Sequence, residues 1–279
     1  MKEEEEEEIK KEVRKGYARI AKKRSCCRTH VISCCGGANL AEETSKRIGY
    51  EDEELESVPE GANLGLGCGN PIALASLKKG ETVVDLGAGA GFDCFLAANK
   101  VGEKGKIIGV DMTPEMVEKA RENSKKGNYE NVEFRLGEIE NMPVADNSAD
   151  VVISNCVINL SPDKKRVFRE AFRVLKSGGR LMVSDIVLLK ELPGHIKSST
   201  AAYIGCISGA IMKDEYIDTM KEVGFREVRV MDETVFPIKW MGNDPTSGVA
   251  INKTSMPKEN LKEIGNSVVS IKVEGKKIK

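Results

Sequence analysis

"VVDLGAGAGFD", residues 83–93, decides the fold: a short β-branched run ends in Asp85, glycines follow at Gly87, Gly89 and Gly91, and an apolar helix begins near Phe92. Glycines let a chain turn sharply and approach a ligand with no side chain in the way. From residue 82 onward the same alternation recurs. "TVVDLG" (82–87), "KIIGVD" (106–111), "VEFRLG" (132–137), "DVVISN" (150–155) and "RLMVSDIV" (180–187) read as strands. "PEMVEKARENSKK" and "DKKRVFREAFRVLKSGG" between them read as amphipathic helices, and "EYIDTMKEVGF" with "EVRVMDE" adds a helix and a further strand. Strands alternating with helices predict an α/β fold with a doubly wound parallel sheet.

Around this centre the chain changes character. Residues 1–24 read as a helix, because Ile9, Val13, Tyr17 and Ile20 fall on one stripe, and the glutamates Glu3 to Glu8 suit the positive end of its dipole. The cysteine- and glycine-rich "SCCRTHVISCCGG" (25–37) and "PEGANLGLGCGNP" (59–71) read as loops. The stretch beyond Trp240 is polar and weakly patterned. Three parts are expected: an N-terminal helix and cysteine-rich extension over 1–70, the sheet domain over 71–235, and a C-terminal addition over 236–279.

Forty-three basic and 44 acidic residues among 279 leave a net charge of −1, which steers the protein toward neither nucleic acid nor an anionic membrane. The glutamate run excludes a secretory signal and no apolar stretch approaches spanning length, so a soluble cytoplasmic protein with small-molecule partners is expected. In a reducing compartment eight cysteines are ligands, redox groups or small buried hydrophobes rather than a disulfide framework.

The glycine loop admits two cofactor classes. A dinucleotide fingerprint reads G-x-G-x-x-G, whereas this loop reads D-x-G-x-G-x-G, a form that resembles class I methyltransferases, whose loop holds the amino acid part of S-adenosylmethionine. Asp111 closes the next strand about 20 residues on, where a carboxylate can bond two ribose hydroxyls. The resemblance implies that Glu138 and the Ile139 amide meet the adenine, and it draws Asp85, Gly87, Ala88, Gly89, Gly91 and Met112 into the cofactor site. Asn155 either bonds the cofactor or closes a turn. Asp146 reads as a turn residue.

Cys156 stands just past the fourth strand, at the carboxyl end where ligands of open α/β sheets lie, and so close to the transferable methyl. A methyl acceptor bearing a proton needs a base. Neither histidine, His30 or His195, follows a strand end on that side. A thiol there points instead to a ligand holding a soft acceptor.

"EGANLGLGCGNP", "DLGAGAGFD", "GVDMTPEM", "NVEFRLGEIENMPV", "SNCVINLSPDK", "FRVLKSGGRL", "SDIVL" and "AAYIGCISGA" together resemble the arsenite methyltransferases, from about Tyr17 to about Trp240. The resemblance implies a Rossmann-like fold, methylation of arsenite and then methylarsenite in arsenic detoxification, and three cysteines that bind trivalent arsenic: Cys68, Cys156 and Cys206. It also implies a thiol reductant such as thioredoxin or glutathione, and no metal cofactor. A fourth cysteine is expected from the N-terminal pairs Cys26-Cys27 and Cys34-Cys35, with Cys35 or its neighbour Cys34 preferred. A zinc site from those four thiols is the competing reading, but adjacent pairs do not match C-x₂₋₄-C spacing. Cys94 reads as core. Two rival functions remain, a methyltransferase acting on a quinone-like acceptor and a non-catalytic metalloid-binding thiol protein; neither uses both the complete cofactor motif and three cysteines.

Overall fold

The computed structural model describes residues 2–22, 36–235, 265 and 267–278. In chain order the helices before the sheet are α1 (Lys2–Lys22), α2 (Gly36–Arg47), α3 (Asp52–Glu56) and α4 (Pro71–Leu74). The sheet then builds through β1 (Thr82–Leu86), α5 (Phe92–Val101), β2 (Lys106–Asp111), α6 (Pro114–Lys126), β3 (Val132–Leu136), β4 (Ala149–Asn155), α7 (Lys164–Val174) and β5 (Leu175–Leu188). The short helices α8 (Gly194–Lys197) and α9 (Thr200–Ile204), then α10 (Lys213–Val223), β6 (Arg226–Val235) and β7 (Val268–Lys276), complete it.

Among the described residues seven strands run in the order β3-β2-β1-β4-β5-β7-β6. The strands from β3 to β5 pair in parallel, and β7 is antiparallel to both neighbours. Strand order reverses between β1 and β4, so their carboxyl ends open the crevice in which such sheets bind ligands. Apolar clusters cover both faces. One packs β1, β4 and β5 against Phe168, Tyr216 and Phe225; the other packs Val83, Val151 and Met182 against Phe95, Leu96 and Ala97.

All five strands read for the parallel region are present within a few residues. The acidic stretch at residues 51–56, which reads as helical, is α3, closed by a reciprocal Glu51/Glu54 capping box. Two parts differ from the sequence reading. The stretch read as loops runs into a further helix, α4, capped by Asn70 with Pro71 at its first position, whose single turn carries too little periodicity to show in sequence. The polar C-terminal stretch supplies β7, inserted between β5 and β6, so a boundary at 235 cuts between adjacent strands of one sheet. Val268, Val269, Ile271 and Val273 are buried there, and the strand's register is set by partners distant in sequence, from Leu188 to Arg180 on β5 and from Val235 to Arg226 on β6.

Candidate active site

The cleft at the switch point is lined by the glycine loop, by Asp85, Asp93 and Asp111, and by Cys156 and Cys206. Tyr17 of α1 and Leu64 and Leu66 of the loop before α4 form its other walls, around about 890 Å³ of empty space that is partly open to solvent. Gly87 and Gly89 both take positive φ (67° and 52°), a region that L side chains enter at a cost. At Gly87 a methyl would also stand 2.4 Å from the Val157 side chain, whereas at Gly89 it would meet nothing.

Asp111 accepts from the Gly89 amide at 2.9 Å and the Thr113 amide at 2.8 Å, one bond on each oxygen. Each oxygen keeps a lone pair for further donors. Asp85 is buried and accepts from the Cys94 thiol at 3.2 Å; burial, with Asp93 adding repulsion, pushes its carboxyl well above the ordinary range. Burial also raises Asp111, and it lifts Asp93 to about 6 against the hydrogen bonds of Tyr50 and Asn155. Three crowded acids facing one cleft favour a cationic ligand. Met112 packs half-buried against the cysteine-bearing cluster, and Ala88 and Ile139 are buried. The Glu138 carboxylate instead meets α1, at 2.7 Å from Lys10 Nζ and 3.4 Å from Arg14.

Cys68, Cys156 and Cys206 are separated by 88 and 50 positions in sequence yet meet in the fold. The neighbouring Cys206 and Cys68 thiols, more than burial, hold the pKa of Cys156 well above the ordinary thiol value. Burial raises Cys68 as well. Cys206 Sγ donates to the Cys156 carbonyl at 2.9 Å. Both Cys156 and Cys206 take left-handed backbone angles (φ 58° and 64°), a strain of about 1–3 kcal/mol each that characteristically collects at ligand-holding positions.

Each cysteine is fixed by its backbone. Cys156 N–H donates to the Ser184 carbonyl at 2.8 Å, and Cys206 N–H donates to the Tyr203 carbonyl at 2.9 Å. The Cys68 amide donates to Asn155 Oδ1 at 3.1 Å, and its carbonyl accepts from Ser270 Oγ of β7 at 2.7 Å. Asn155 Nδ2 faces the Gly69 carbonyl (2.8 Å), Tyr50 Oη (2.9 Å) and Asp93 Oδ2 (3.1 Å), while Tyr50 donates to Asp93 Oδ1 at 2.6 Å. The Asn155 amide is thus engaged by protein, tying the Cys68 loop to the cofactor-side acid Asp93.

Tyr17, Tyr50, Asp93, Ser184 and Asp185 were not read from sequence as site residues, although Tyr17 lies on the stripe of the first helix, Asp93 ends the glycine motif and Ser184 and Asp185 open "SDIVL". Cys94 is buried in the core, as read. His195 is exposed on α8. Cys26, Cys27, His30, Cys34 and Cys35, and with them the expected fourth cysteine, lie outside the described residues, as does Trp240.

A family model described as a methyltransferase domain matches residues 77–224. An arsenite methyltransferase of Halobacterium salinarum is 49% identical over 84% of this chain and 62% of its own length. The arsenite methyltransferase of Homo sapiens is 34% identical over 83% of this chain and 62% of its own length. Among solved structures, an arsenic (III) S-adenosylmethionine methyltransferase from Chlamydomonas reinhardtii superposes with a TM-score of 0.63 at 34% identity, over 86% of this chain and 74% of that one. The chain therefore spans a little under two thirds of the length of these curated relatives.

Proposed function

The chain belongs to the arsenite methyltransferase family, and from that premise we propose that it transfers methyl groups from S-adenosylmethionine to trivalent arsenic held by Cys68, Cys156 and Cys206. The observation that carries the reading is the meeting of three distant cysteines, two of which, Cys156 and Cys206, line the same cleft as the glycine loop.

Capture of arsenite balances without a base: three S–H groups and As(OH)₃ give three As–S bonds and three waters. The Cys68 and Cys156 thiols, kept protonated by burial and by their contacts, suit that exchange, since each carries the proton its departing hydroxide needs. Arsenic bound by three sulfurs keeps one lone pair and has no proton to lose, which explains a site built from thiols where a general base would otherwise stand.

The cofactor pocket fits S-adenosylmethionine. Gly89 leaves open space at the turn, Asp111 retains acceptor capacity for ribose hydroxyls, and Asp85 and Asp93 supply negative charge for the ammonium and sulfonium. When bound, S-adenosylmethionine supplies a methyl group activated by the positive sulfur. The protein's own task is alignment: Asn155, Ser184 and Ser270 fix the backbones that carry the thiols, and positioning of this kind can supply several kcal/mol of the barrier. Methylation oxidises arsenic by two electrons, so a thiol reductant such as thioredoxin or glutathione must reset the site between turnovers. That requirement and the thiol ligands fit action in the cytoplasm, on arsenite and then methylarsenite.

The test is methyl transfer from labelled S-adenosylmethionine to arsenite with a thiol reductant present. Native protein and Cys94→Ser are expected to make methylarsenicals, while Cys156→Ser loses the activity and still binds the cofactor. Native protein that binds the cofactor without ever methylating arsenic would overturn the reading in favour of an organic acceptor.

A further inference from the structure

Beside the thiols lies a carboxylate that arsenic capture does not use. Asp185 of β5 is fully buried, and its ligand oxygen and the sulfurs of Cys68 and Cys156 lie within 4.8 Å of one another. Cys206 is not part of this set, and its thiol donates to the Cys156 carbonyl. Two ligand groupings therefore overlap at Cys68 and Cys156, one completed by sulfur and the other by oxygen.

The second grouping matches a known coordination chemistry. With Zn–S bonds of about 2.3 Å and Zn–O bonds of about 2.0 Å at tetrahedral angles, ligand atoms stand about 3.5–3.8 Å apart. The three atoms here would need to close by roughly 1 Å. Metal-bound carboxylates are oriented by hydrogen bonds from behind, and Asp185 has that support in place. Its Oδ1 accepts from Asn159 Nδ2 and from the Ile186 amide, each at 2.9 Å, while among the described residues Oδ2 accepts only the Tyr216 hydroxyl at 3.1 Å. Oδ2 thus keeps a lone pair. Cys156 and Ile186 line the cleft, which gives an ion a way in and leaves its fourth position to water.

We propose that Cys68, Cys156 and Asp185 form a binding site for a thiophilic divalent cation of the zinc(II) class. Binding exchanges two S–H bonds for two metal–sulfur bonds and releases both protons to solvent. The site stands on geometry alone. Only one consequence rests on the proposed function: zinc and arsenite need the same two sulfurs, so zinc inhibits methylation competitively with arsenite.

The experiment titrates cobalt(II), a spectroscopic substitute for zinc, into the reduced full chain, following thiolate-to-cobalt charge-transfer absorption, with arsenite binding measured in parallel. The expected pattern is a double dissociation. Asp185→Asn lowers cobalt affinity by roughly tenfold or more while arsenite affinity persists, and Cys206→Ser binds arsenite more weakly by roughly tenfold or more, through two sulfurs, while the cobalt spectrum keeps its two-thiolate intensity. Zinc added to the native complex should bleach the spectrum. The proposal is overturned if native protein gives no charge-transfer band, if Asp185→Asn binds cobalt as tightly as native, or if Cys206→Ser loses the band. Should Asp185→Asn fail to fold, the Cys206→Ser arm decides alone. Cobalt binding without arsenic methylation would sink the proposed function and leave this site standing; methylation without cobalt binding would do the reverse.

Discussion

Asn155 shows how much of the site hangs on a single side chain. Its amide holds the Cys68 amide and faces the Gly69 carbonyl, Tyr50 and Asp93. Removing it strands buried polar groups at about 1–3 kcal/mol each. Asn155→Ala should therefore lower the melting temperature and weaken arsenite binding by roughly tenfold or more, an affinity change worth about 1.4 kcal/mol. Calorimetric titration and a thermal melt check both. Asp185 makes a second prediction at this scale. Burial raises its folded pKa to about 7, against the opposing bonds of Ile186 and Tyr216 and the charge of Lys164, whereas an unfolded aspartate titrates near 4. Between those values the native state holds a proton that the unfolded chain has released, so stability falls as pH rises from about 4 to about 7 and levels off above. Asp93, raised to about 6, adds to the same slope, while Glu133, held down to about 2 chiefly by its Arg135 hydrogen bonds, acts only below that window. Asp185→Asn should flatten the slope by roughly 2–4 kcal/mol, seen as a smaller difference between denaturation at pH 5 and at pH 8. The cysteines themselves were legible in sequence through their motifs. The use made of Asn155 was not, because Tyr50 and Cys68 stand 105 and 87 residues away from it.

Among the elements, the loop from Leu64 to Asn70 is the one that brings Cys68 to Cys156, and it is clamped between strands. Ser270 of β7 holds the Cys68 carbonyl, and a methyl added at Gly69 would lie 2.0 Å from Ser184 Oγ of β5. Gly69→Ala should therefore cost about 1–3 kcal/mol by overpacking and displace Cys68, lowering arsenite affinity. In Gly69→Ala/Ser184→Ala the nearest Ser184 contact becomes its Cβ at 3.1 Å, so a double-mutant cycle should recover part of the loss. Additive effects would mean that Gly69 matters for another reason. Strand and helix periods revealed β1 to β5 because each carries its own apolar run. The same reasoning missed β7, whose place is set by β5 and β6 rather than by its neighbours in sequence, and whose Ser270 is nevertheless part of the cysteine scaffold.

The whole molecule is braced by α1. Its Lys10 and Arg14 reach Glu138 past β3, its Lys22 pairs with Glu115 of α6 at 2.8 Å, and its Val13 packs into the cluster that contains Cys68 and Cys206. One helix therefore touches both the cofactor side and the acceptor side of the cleft, a role its amphipathic stripe announced only as burial of one face. The switch point, the glycine loop and the acidic strand ends were all readable before any coordinates, since each is a local pattern. The convergence of three cysteines was readable only through resemblance, because nothing in local spacing brings positions 68, 156 and 206 together. That convergence is the central claim, and arsenic K-edge X-ray absorption on the arsenite-loaded chain tests it most directly. The account predicts three sulfur neighbours in the native protein and two sulfurs with one oxygen in Cys206→Ser. Fewer than three sulfurs in the native protein, or an unchanged shell in Cys206→Ser, would contradict it.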